Sequence, residues 1–187
     1  MFDYRKYFDM YCAESGIELR LSLDMPPNYG DANGMFDGAA KTVFINAARL
    51  AEAPEHEKAF FLFHELRHAS QQLRPEQFGS DINRSSKYVI MYDGTCYKLV
   101  VGEYLECKID GDEEYFTNLY LGQPYEADAN AFAYEQAAKI CGDSDELRAL
   151  YAFFMPRRPV PDGIYESIFA MIDEKTMERD KNAEREG

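Results

Sequence analysis

The chain has 187 residues, 46% of them hydrophobic and 14% aromatic, which is enough for one sizeable core and short for two ordinary domains. Lys and Arg number 20 against 34 Asp and Glu, a formal charge of -14, and this is the reverse of the basic surface that phosphate neutralisation requires. The sequence therefore predicts one cytoplasmic domain over 1–187 with no direct nucleic-acid partner. A membrane span is not expected either, because the longest apolar runs, 59–63 and 149–155, fall far below the ~20 residues a bilayer demands.

In chain order, Tyr4, Tyr7, Phe8 and Tyr11 recur at helical spacing, predicting a helix over 4–13 that Gly16 ends. Residues 17–23 then alternate strictly, the period of a half-buried strand. Residues 25–40 carry Pro26, Pro27, Gly30, Gly34 and Gly38, loop chemistry with room for a short strand at Met35-Phe36. A second strand is predicted over Thr42, Val43, Phe44, Ile45 and Asn46. From Pro54 to about Gln72 no breaker intervenes, and the run 59–63 is apolar on nearly every side, so this is a central helix. Asp93-Gly94 between two β-rich runs predicts a two-residue hairpin, with a further strand reaching Ile109. Further helices are predicted from Pro124 to Ile140, from Asp145 to Phe154 and from Ile164 to Met177, with a charged, frayed end over 178–187. The class is α+β, a small and mainly antiparallel sheet packed with several helices.

Inside the central helix lies His64-Glu65-Leu66-Arg67-His68, an HExxH motif. Residues four apart share a helix face, so both imidazoles reach one ion while Glu65 reaches a water beside it, and zinc suits that donor set. Burying these groups without partners would cost several kcal/mol each, of the order of 2–7, and a metal supplies partners. His56 lies two turns away, about 12 Å along the axis, so the third ligand is sought among carboxylates. Glu126 is preferred, because alanines around it allow close helix approach and Asn130, one turn on, can orient it. Its other reading is an ordinary first-turn helix acid. Asp128 points away and is expected to cap, pair or face solvent. Cys12, Cys96, Cys107 and Cys141 form no metal or redox motif and read as reduced, mostly buried thiols.

The strand ending in Asn46, the HExxH helix and the later Glu126-x-x-Ala129-Asn130-x-Phe132-Ala133 together resemble the ImmA/IrrE-type metallopeptidases and, more broadly, the gluzincins. The resemblance covers about a quarter of the chain. It implies a zincin-like fold, zinc held by His64, His68 and Glu126, and Glu65 as general base. It also implies a specific protein or peptide substrate, such as a transcriptional repressor, which would add to the strand 42–46 as an edge. Two departures stand out. Arg67 occupies a position where the family often has Gly, and 57 residues separate His68 from Glu126, a longer interval than usual that matches the hairpin region 88–109. The rival expectation is a non-catalytic module whose acidic surface binds another protein.

Overall fold

The computed structural model describes residues 2–186, with side chains described through Met177. The chain divides into two compact units, 1–79 with 128–154 and 80–127 with 155–187. The mixture of helices and small sheets is α+β.

In the first unit, α1 (Tyr4–Ser15) starts at Asp3, whose carboxylate accepts from the Lys6 N–H, and stops at Gly16 with φ 63°. That left-handed backbone costs a glycine little, which is why the helix ends there. Three strands follow, β1 (Arg20–Ser22), β2 (Gly34–Asp37) and β3 (Thr42–Ile45), in the order β1-β3-β2. β1 runs parallel to β3 and β2 antiparallel to it. The expected edge over 42–46 is thus the centre of the sheet, hydrogen-bonded on both sides. An unbroken β-branched and aromatic run is the pattern of a strand buried on both faces, and Val43 and Ile45 are fully buried. Asn46, immediately after β3, closes the loop that precedes β2, its amide donating to the carbonyls of Gly30 and Ala32.

α2 (Glu55–Leu73) follows Pro54 and carries acids Glu55 and Glu57 in its first turn, where they complement the helix dipole. It buries Phe60, Phe61, Leu62, Phe63 and Leu66 in a core shared with Phe8, Val43, Ile45 and Leu147. α5 (Pro124–Cys141) contributes Ala133 and Ala137 to that core. α6 (Asp145–Phe153) is capped by the Ser144 hydroxyl, which accepts from the Leu147 N–H.

The second unit contains α3 (Ser80–Ser85), the antiparallel sheet β4 (Tyr88–Ile90), β5 (Thr95–Val100) and β6 (Glu103–Lys108), α4 (Glu113–Leu121) and α7 (Ile164–Glu186). Tyr88, Ile90, Cys96, Phe116, Phe169 and Ile172 form its core. The expected fraying over 178–187 lies outside the residues whose side chains are described. Of the four thiols only Cys96 is buried, and burial pushes it up to about 12. Among the described residues no helix is long and apolar enough to cross a membrane.

The tight two-residue turn falls at Val101-Gly102, with φ 50° and 85°, instead of at Asp93-Gly94, where four residues join β4 to β5. Both residues of such a turn need positive φ, which a β-branched side chain resists by roughly 1–2 kcal/mol. Val101 is 99% exposed, so no packing offsets the strain. Val101→Asn should stabilise the fold by about 1 kcal/mol, read as a higher urea midpoint at unchanged slope.

Candidate metal centre

The helical period of α2 carries His64 and His68 to one face, and their Nε2 atoms lie 3.0 Å apart with the rings perpendicular. A carboxylate oxygen of Glu126, in the first turn of α5, completes a group whose ligand atoms all lie within 4.8 Å of one another. Two imidazole nitrogens at ~2.0–2.1 Å from one tetrahedral ion stand about 3.3 Å apart, so the observed spacing fits an ion between them. Glu126 is 5% exposed and Glu65 7%, well below what unassisted carboxylates tolerate. This group can hold a metal ion, and it is the arrangement expected from the sequence.

Several interactions fix these donors. The Phe60 ring stacks on His64 at 6.4 Å and on Phe154 at 5.5 Å, wedging the first histidine from one turn below. The Tyr125 hydroxyl donates to the Glu126 carboxylate; its own ionisation is pushed far up, chiefly by burial and then by that negative charge. It is therefore a permanent donor at physiological pH. His68 Nδ1 meets the Gln71 side-chain oxygen at 2.8 Å, and Gln71 Nε2 donates to Asp128 at 2.8 Å. Arg67 grips the same carboxylate with two bonds, Nε at 2.7 Å and Nη2 at 2.9 Å. Its guanidinium also lies 4.6 Å from the Phe78 ring centroid and 4.7 Å from that of Phe132.

Two expectations change here. Asn130, assigned from the sequence to orient Glu126, directs its amide to the Phe154 carbonyl at 3.2 Å, leaving its buried Oδ1 without a partner. Sharing a helix face with Glu126 did not decide the bond, because the end of α6 offers a carbonyl that needs a donor. Arg67, noted above only as a departure from the family's usual Gly, is half-buried and belongs to the scaffold of His68. Gln71 was not foreseen from the sequence; its signal is its place three residues after His68, on the same helix face.

Beyond the ligands, the β2 strand bounds Glu65. A Cβ on Gly34 would fall 2.7 Å from Glu65 Cγ and 3.0 Å from its Oε1, so the carboxylate occupies space that only glycine leaves open.

Compared with protein-family models, curated proteins and solved structures, the chain matches none. The reading of the centre therefore rests on its geometry. Elemental analysis should find close to one metal ion per wild-type chain and a marked loss in Glu126→Ala purified identically, whereas equal metal in both would remove Glu126 from the ligand set.

Proposed function

We propose that this chain is a zinc-dependent peptidase. The observation that carries the reading is the His64-His68-Glu126 group together with a second buried carboxylate, Glu65, next to His64 on α2 and outside that group. Two imidazoles and one carboxylate are a common catalytic zinc set, and a structural site would more often close with a fourth protein ligand. Zinc held by three protein ligands supplies Lewis acidity and lowers the pKa of water to about 7.

The chain's own residues divide the remaining work. Nε2 of His64, Nε2 of His68 and the Glu126 carboxylate hold the ion. Glu65 accepts the proton of the attacking water and delivers it to the departing amine, the step that makes a poor leaving group neutral. Its burial near the carbonyl to be attacked keeps that transfer short and dry. Gly34 leaves the space that the Glu65 carboxylate occupies.

An extended substrate would add to β2, the outer strand beside Glu65, in place of the central β3. Main-chain hydrogen bonding to a strand edge accepts many sequences, so selection for a particular protein would come from side-chain contacts. The resemblance in the HExxH and Glu126 segments supports a protein substrate, a regulatory repressor being the class it suggests.

Glu65→Gln should retain wild-type metal content and lose peptide hydrolysis by at least ~100-fold, measured on a library of unstructured peptides by mass spectrometry. Undiminished cleavage in that variant would sink the assignment of Glu65. If the wild type carries zinc yet cleaves nothing in the library, an acidic binding module becomes the better reading. Gly34→Ala displaces the Glu65 carboxylate without touching a ligand, and should lower turnover by about 100-fold at unchanged zinc content.

A further inference from the structure

We infer that Arg67, Asp128 and Gln71 form a clamp that fixes the tautomer of His68, making Arg67 and Gln71 positioning residues of the metal centre. The inference rests on the metal-site reading above. Its observations are the two bonds from Arg67 to Asp128, the bond from Gln71 Nε2 to Asp128 Oδ2, and the 2.8 Å contact of Gln71 with His68 Nδ1.

Arg67 has only donors, and its planar fork matches both oxygens of Asp128, so that carboxylate is held as an acceptor in one orientation. The guanidinium also lies over the rings of Phe78 and Phe132, contacts that suit its flat cation better than a lysine's point charge. Facing that acceptor, the Gln71 amide has one tolerable orientation. Its NH₂ must point at Asp128, because the flipped amide would set oxygen against oxygen in a site only 3% exposed. The amide oxygen then faces His68, where only an N–H is a suitable partner. His68 therefore carries its proton on Nδ1 and presents the lone pair of Nε2 toward His64 and Glu126. Without the clamp a neutral imidazole in water prefers the opposite tautomer by a small margin, and every ion that binds must first reverse it.

Arg67 thus acquires a reason for occupying the second variable position of the motif. It does not face the ion; it sets the amide that sets the imidazole.

The test is imidazole nitrogen NMR on the metal-free wild-type protein at pH 8, together with zinc affinity by chelator competition. His68 should appear in the Nδ1–H form. Gln71→Leu should move it toward a mixture and weaken zinc by 10–100-fold, the range usual for partners of ligating histidines. Asp128→Asn and Arg67→Lys should shift both readouts in the same direction, by less. A wild-type His68 in the Nε2–H form overturns the clamp without any variant. So does Gln71→Leu that folds, keeps the Nδ1–H form and binds zinc within twofold of wild type. Failure of wild type to take up zinc would refute the zinc reading, while the tautomer, read without metal, still decides the clamp.

Discussion

The organising constraint is the cost of placing polar groups inside an apolar helix. α2 contributes five large apolar side chains to a core and, on the same nineteen residues, carries Glu65 and Gln71 in buried positions with two histidines. Each unpaired buried group would cost on the order of 1–3 kcal/mol, and charged ones more. The fold answers from α5 with Asp128 for Gln71, within α2 with Gln71 for His68, and from β2 with the space over Gly34 for Glu65. His64, His68 and Glu126 converge on one point, and that convergence is what would let the fold hold a metal ion.

The two halves of the site differ in how they are built. α2 delivers its pair of imidazoles through periodicity alone, since four residues return almost to the same face. α5 works through two acids of opposite duty, Glu126 toward the histidines and Asp128 toward Arg67. Both lie near the N-terminal end of that helix, where the dipole favours negative charge. Small residues supply the clearance: Ala129, Ala133 and Ala137 are fully buried along one stripe of α5.

Much of this was legible in the sequence because it depends on local rules. The stops at Gly16 and Gly142 follow from left-handed backbone, and the ligand pair follows from helical period. Glu126 could be singled out because alanines mark a close-packed helix. Two short helices, α3 and α4, escaped notice: α3 spans six residues, and α4 buries Phe116 and Leu119 amid acids and polar residues that dilute its pattern. The turn at Val101-Gly102 was invisible for the opposite reason, since valine argues against the conformation it adopts. The place of β3 within its sheet depends on pairing with β1 and β2, which period-two alternation does not encode. The bonds of Asn130 and Arg67 were likewise settled by neighbours from remote sequence, α6 in one case and α5 in the other.

The spacing of the three donors along the chain has a thermodynamic side. His64 and His68 belong to one turn of one helix, but 57 residues separate His68 from Glu126. An ion shared by them acts as a reversible cross-link, closing a loop whose entropy grows with the logarithm of its length. Occupancy and folding are then linked quantities: each stabilises the other, and the ion's apparent affinity falls as soon as the segment bearing Glu126 loosens. A nascent chain that has emerged only as far as the HExxH helix holds two donors of three, so the centre cannot assemble until α5 has been made. The order of synthesis leaves the three-donor group incomplete until Glu126 has been added.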